Sequence, residues 1–218
     1  MKWTIFFDLD GTLIDTSERH YRVHTDILDF YGMPNTLTKE EFWKLKKTGK
    51  KTVEILPETS KEFIQQFLNE WLKKIENREY LRFDKLLPKC SGILSILKNK
   101  VDLVLTTLRN NKKNLFWELN NFGLTNYFKE ILVDSPLKVK NKMPLIKEYI
   151  ERNSKSDNFI IVGDSEVDVS SGKELGMLTV AATYGIRSKE FLMKLKPDFC
   201  LDKLFEFPEI LKGIGDDS

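Results

Sequence analysis

Trp3-Thr4-Ile5-Phe6-Phe7-Asp8-Leu9-Asp10-Gly11-Thr12 decides how this chain is read. Residues 3–7 have strong β character, and the run ends abruptly in two acids, a glycine and a hydroxyl. Asp-Gly is a common turn pair. Paired carboxylates at the rim of a core cost desolvation unless something neutralises them, and a metal ion is the usual partner. A buried strand that ends this way therefore points to a site.

Further along, two more apolar runs end in polar groups. Val101-Asp102-Leu103-Val104-Leu105 runs into Thr106-Thr107, and Phe159-Ile160-Ile161-Val162 runs into Gly163-Asp164. From Leu87-Pro88 onward, strands alternate with helices. Helices are expected at Ser91–Asn99, Asn110–Phe122, Lys142–Arg152, Val167–Leu175 and Ser188–Leu195, and strands at Ile131–Val133, Leu178–Ala182 and Asp198–Leu201. Alternation of this kind implies a parallel sheet with helices on both faces. In such sheets ligands bind outside the carboxyl ends of the strands. The three polar strand ends should thus converge on one crevice.

Between the first strand and this α/β part the pattern is helical. Thr16–Tyr31 reads as a helix stopped by Gly32, and Thr38–Lys46 as a second behind a threonine cap. Ser60–Asn77 is the strongest, with Phe63, Phe67 and Trp71 at helical spacing. No strand pattern is visible from Asp15 to Leu87, so this region reads as an all-helical insertion packed around its own aromatic stripe. The expected domains are residues 1–15 with 88–212 as the α/β core, 16–87 as the helical insertion, and 213–218 as a disordered tail.

Asp168 lies one helical turn beyond Asp164, so the two acids can face one point from a helix start. Oxygen ligands with no His or Cys nearby suit Mg²⁺ rather than zinc. A hard cation, hydroxyls and a spare carboxylate suit phosphoryl chemistry: one carboxylate attacks phosphorus, and another works as acid and base. Lys142 is the preferred phosphate-binding lysine, because Leu145, Ile146, Tyr149 and Ile150 follow it at helical spacing. Lys138 and Lys140 remain open alternatives. His20 and His24, four apart on a helix, have metal-ligand spacing but no third ligand, and read as ordinary residues of the insertion.

The 218 residues carry a net charge of +2, which argues neither for nor against a nucleic-acid partner. Cys90 and Cys200 are far apart and read as reduced thiols. With no apolar signal core at its start and no stretch near the roughly 20 apolar residues a membrane span needs, the chain is expected to be cytoplasmic.

These motifs resemble those of the haloacid dehalogenase (HAD) superfamily along nearly the whole chain. Asp8-Leu9-Asp10-Gly11-Thr12-Leu13 is similar to the first motif, Thr106 to the second, Lys142 to the third, and Gly163-Asp164-Ser165 with Asp168 to the fourth. Asn121 to Phe128 resembles the segment after the second motif in phosphoglycolate-phosphatase-like members, and the insertion resembles the family's helical cap. The sequence departs from relatives at Thr107, where they often carry Asn, and after Lys142, where Met143-Pro144 replaces Pro-x-Pro.

The resemblance implies a Rossmann-like parallel-sheet core with an inserted helical cap. It implies Asp8 as nucleophile, Asp10 as acid and base, and Thr106 and Lys142 as phosphoryl-oxygen ligands. Mg²⁺ would be held by Asp8, the Asp10 backbone carbonyl and Asp164, with Asp168 supporting that shell or orienting Lys142. Asp10 favours a phosphatase or phosphomutase over a dehalogenase. The expected activity is Mg²⁺-dependent hydrolysis of a phosphomonoester through an aspartyl-phosphate, on a small phosphorylated metabolite. The alternatives are a sugar phosphomutase of the β-phosphoglucomutase type and a non-catalytic binding protein of the same fold. No nucleic acid or membrane is expected as a partner, and the chain is expected as a monomer or weak dimer. Thr107, His20, Gly49 and Lys50 are the expected substrate contacts. The last two lie in the basic loop Lys46–Lys51, whose charge suggests an anionic substrate.

Overall fold

A computed structural model describes residues 3–153 and 158–216. The chain runs β1 (Trp3–Phe7), β2 (Ile14–Asp15), α1 (Ser17–Phe30), α2 (Lys39–Lys47), α3 (Lys61–Lys74), α4 (Arg78–Leu81), β3 (Lys85–Leu86) and α5 (Cys90–Lys98). It continues through β4 (Asp102–Leu108), α6 (Lys112–Asn121), β5 (Glu130–Asp134), α7 (Met143–Arg152), β6 (Asn158–Gly163) and α8 (Glu166–Glu174). The last elements are β7 (Leu178–Ala182), α9 (Lys189–Met193), β8 (Phe199–Leu201) and α10 (Phe207–Asp216).

The six long strands form one parallel sheet in the order β5-β4-β1-β6-β7-β8. β1 sits inside it because all its residues after Trp3 are buried. Period-two alternation then splits its side chains between two cores. Ile5 and Phe7 face one core with Leu103, Leu105, Ile160 and Val162, closed by helix residues such as Leu94, Leu119 and Phe207. Phe6 faces the other with Val104, Ile161, Ile146 and Tyr149. The chain leaves β1 for β4 and β5 on one side and returns to β6 on the other, so the crevice beyond the strand ends opens at β1.

Residues between β2 and β3 form a helical insertion, called the cap below. Val23, Ile27, Phe63, Phe67 and Tyr80 make its separate core, and Thr38 closes a capping box with Glu41 at the start of α2. Two features depart from the sequence reading. Lys85–Leu86 pairs antiparallel with Ile14–Asp15 in a region where no strand was expected, because two-residue strands are too short to show a period. The expected tail is helical as far as Asp216: Gly213 does not stop α10, since Ile214 is buried one turn beyond Ile210 against the main core. Cys90 and Cys200 are both free thiols. Among the described residues no helix is long and apolar enough to cross a membrane.

Candidate active site

Asp8 continues the β1–β6 ladder, its N–H donating to the Val162 carbonyl at 2.9 Å. The chain then turns sharply. Gly11 takes φ +78°, and a Cβ there would overlap the Asp164 carboxylate, so both the turn and the close approach require glycine. Asp164 stands at the end of β6, and Asp168 faces it from the first turn of α8. Gly163 is needed for the same reason as Gly11, because a Cβ would strike Asp168.

The carboxylates of Asp8, Asp164 and Asp168 are buried and have oxygens within 4.8 Å of one another. Lys142 is the cation placed among them. It is the N-cap residue of α7, its N–H donates to Ser171 Oγ, and its Nζ reaches Asp8 Oδ1 at 2.5 Å and Asp168 Oδ1 at 2.6 Å. Lys138 and Lys140 are exposed, and of the three lysines Lys142 is the one whose Nζ meets the acidic cluster. Burial favours the neutral amine, but Asp168 and Asp8 outweigh it and raise the Lys142 pKa. Burial pushes Asp8 up to about 7, with the charges of Asp168 and Asp10 adding to the rise and Lys142 opposing it. Burial also drives Asp164 well above its usual range, together with Asp8 and Asp168. Three buried acids thus share one ammonium. Their hard oxygens and surplus negative charge fit a divalent cation such as Mg²⁺.

Thr106 follows the Phe7–Leu105 pairing and is fully buried, and its Oγ1 has no partner among the described residues. A buried hydroxyl in that state is suited to an incoming oxygen ligand. Thr107 and His20 line the cleft. His20 packs edge-on to Trp43 and Trp71, and burial, with Arg19 and Lys46 nearby, drives its pKa well down and keeps it neutral.

Asp10 is held differently from the other acids. Arg109 binds it with two nitrogens, Nε and Nη2, both at 2.6 Å, and Arg19 Nη2 approaches from the cap at 2.5 Å. Burial would raise its pKa, but Arg109 and Arg19 prevail and hold it well below the usual carboxylate range. This leaves its backbone carbonyl, not its side chain, for a cation. The arginines also reach a second pair of acids. Arg109 Nη2 lies 3.0 Å from Glu118 Oε2, and Arg19 Nε lies 3.2 Å from Asp84 Oδ1. Burial pushes Asp84 up to about 9, with the nearby Glu118 adding to the rise and Arg19 opposing it. Asp10 is thus flanked by two arginines, each of which holds a second buried acid, and these ion pairs join core to cap.

Two further contacts hold the cap over the core. Glu76, just beyond α3, accepts the N–H groups of Asn110 and Asn111 at 2.9 and 2.6 Å at the start of α6. On the other side, Arg187 binds Glu166 with two nitrogens and donates to the Lys46 carbonyl at 2.8 Å. Gly49 and Lys50 do not line the cleft, contrary to the sequence expectation. Gly49 lies against Phe191, and Lys50 borders a separate depression in the cap with His24 and Glu54. The loop meets the core through the Lys46 carbonyl, and Lys46 itself is buried near His20 with its Nζ on Thr52 Oγ1. Sequence reasoning also missed Arg19, Arg109, Asp84, Glu118, Glu76 and Arg187. Only Arg109 carried a usable signal, two residues past Thr107 at a strand's carboxyl end.

A parallel sheet with an acidic cluster and a lysine at its carboxyl edge, roofed by a helical cap, defines a class of capped hydrolases. The family model for haloacid dehalogenase-like hydrolases matches residues 5–182, and the chain belongs to that family. It is 28% identical over 224 aligned positions to the pyrophosphatase PpaX of Halalkalibacterium halodurans, covering 97% of this chain and 96% of that protein. It is 26% identical to PpaX of Bacillus cereus, covering 97% of each. Among solved structures it is similar to a haloacid dehalogenase-like hydrolase from Streptococcus pneumoniae, with a TM-score of 0.77 and 22% identity over 95% of this chain and 97% of the other.

Proposed function

We propose that the chain is a Mg²⁺-dependent phosphomonoester hydrolase acting on a small phosphorylated metabolite through an aspartyl-phosphate on Asp8. The observation that carries this reading is the buried Asp8–Lys142–Asp168 contact beside Asp164, at the end of β1. Asp8 and Asp164, with the Asp10 carbonyl, would hold the cation, which supplies charge neutralisation for the phosphoryl oxygens. Lys142 and Thr106 would bind those oxygens and orient them for in-line attack.

In the first half-reaction an Asp8 oxygen bonds to phosphorus, the ester P–O bond breaks, and the leaving oxygen takes a proton from Asp10. In the second, water bonds to phosphorus and gives its proton to Asp10, and the Asp8–phosphorus bond breaks. Arg19 and Arg109 stabilise the carboxylate form of Asp10. They therefore make protonated Asp10 a readier proton donor to the leaving group, and the resulting carboxylate a weak base toward water. Precise placement of its oxygens offsets that weakness.

The pyrophosphatase and hydrolase names of the relatives support phosphate-ester or anhydride chemistry. His20 in the cleft favours a second reading, a sugar phosphomutase, which would isomerise a sugar phosphate and release little free phosphate. The test is hydrolysis of p-nitrophenyl phosphate with and without Mg²⁺, repeated with Asp8→Asn. Turnover should require the cation and fall by at least about a thousandfold in the variant. Activity indifferent to chelation or to the substitution would overturn the reading.

A further inference from the structure

We propose that the leaving-group side of this cleft takes a compact, uncharged, largely apolar alcohol and discriminates against a second phosphate. The inference rests on the phosphomonoesterase reading and names its substrate class.

The cleft has a volume of about 330 Å³, at the small end of the roughly 300–1,000 Å³ typical of ligand pockets. A second phosphate in that space would bring added negative charge and would need a cation not already committed. Four cationic side chains line the cleft among the described residues: Arg19, Arg109, Lys142 and Arg187. Each is already paired at 2.5–2.8 Å. Arg19 and Arg109 close on Asp10, Lys142 on Asp8 and Asp168, and Arg187 on both oxygens of Glu166. Lys46 is not among the lining residues, and its Nζ donates to Thr52 Oγ1 at 3.0 Å.

Lys142 and the bound cation would serve the reacting phosphoryl group, which leaves no cation without an acidic partner among the described lining residues. The rest of the lining is apolar, acidic or neutral polar, the last including His20, Thr107 and Asn110. Trp71, Leu72 and Ile75 descend from the end of α3, Leu108 and Pro136 face them from the core, and Glu76 and Glu166 add carboxylates. An anionic leaving group there meets like charge and apolar surface, and desolvating it without a partner is costly. A flat or aliphatic alcohol buries its surface against Trp71 and Leu72 and meets no such penalty. The cleft thus points away from the substrate in the names of the PpaX relatives, from which this chain differs at most aligned positions.

The test uses the full chain with Mg²⁺ and compares kcat/KM for phenyl phosphate and for pyrophosphate by phosphate release. Phenyl phosphate should be preferred by about a hundredfold or more. Glu166→Gln releases the Arg187 fork from its carboxylate and should raise the pyrophosphate-to-phenyl phosphate ratio by about tenfold or more. Leu72→Lys puts a new cation on a wall position that is 39% exposed and should move the ratio the same way without opening the core. The ratio cancels any general loss of folded protein. Asp8-dependent turnover of pyrophosphate equal to or above that of phenyl phosphate overturns this inference and leaves the phosphatase reading intact. A ratio unmoved by both variants also overturns it. Absence of turnover with either compound removes the phosphatase reading and this inference together.

Discussion

Replacing Arg109 by leucine tests the ion pairs around Asp10. Arg109 is 3% exposed and Glu118 1%, so removing the guanidinium strands a carboxylate inside the protein and takes the two-nitrogen grip from Asp10. Breaking a buried pair by deleting one partner costs about 3–5 kcal/mol. At about 2–4 °C per kcal/mol for a chain of this size, the melting temperature should fall by about 6–20 °C. Arg109→Leu combined with Glu118→Leu removes the stranded charge as well. It should recover about 2 kcal/mol or more of the loss, because an apolar pair of similar volume often replaces a buried ion pair without penalty. Activity should not recover with it, since Asp10 still lacks its grip. Thermal unfolding by circular dichroism, paired with phosphate release, reads both quantities. A single-variant loss under about 1 kcal/mol, or a double variant showing the plain sum of two losses, would refute the coupling of Arg109 to Glu118.

Asp84 gives a pH signature. Burial pushes its folded pKa up to about 9, far above the ordinary aspartate range, so the folded protein keeps a proton that the unfolded chain loses. Its contribution is complete below about pH 4 and is lost as pH rises toward 9. Asp84→Asn should therefore flatten the fall in melting temperature between pH 6 and 9, and identical slopes in the two proteins would count against a protonated Asp84. Glu76→Ala should cost about 1–2 kcal/mol by leaving the N–H groups of Asn110 and Asn111, just before α6, without their acceptor, and should raise KM by loosening the cap. Unchanged thermal stability would show that the contact does not hold the cap.

Asp8, Asp164 and Lys142 were legible because each stands where an element begins or ends, and such ends carry strong signals: an apolar run stops, or a helix starts. The choice of Lys142 over Lys138 and Lys140 rested on helix phase, and its place as the N-cap of α7 is what directs it to Asp8. Asp84 and Glu118 offered nothing comparable. A lone acid in a linker, or on a helix, reads as a surface charge until a folded neighbour buries it. Gly49 and Lys50 show the converse: a basic loop next to a cleft announces charge but not direction. The short pairing of Ile14–Asp15 with Lys85–Leu86 was hidden for lack of length.

That small pairing has a consequence for how the molecule is divided. It brings the two crossings between core and cap side by side, so residues 16–84 leave and re-enter the core as if they were the loop of a single hairpin. Closing a long loop between adjacent ends costs little more than closing a short one, because the entropic term grows only logarithmically with length. Chain closure thus places little demand on what the loop contains. What ties this roof to its floor is the set of contacts made by Arg19, Glu76 and Lys46, and the selectivity of the cleft can be exchanged wherever those few contacts are kept.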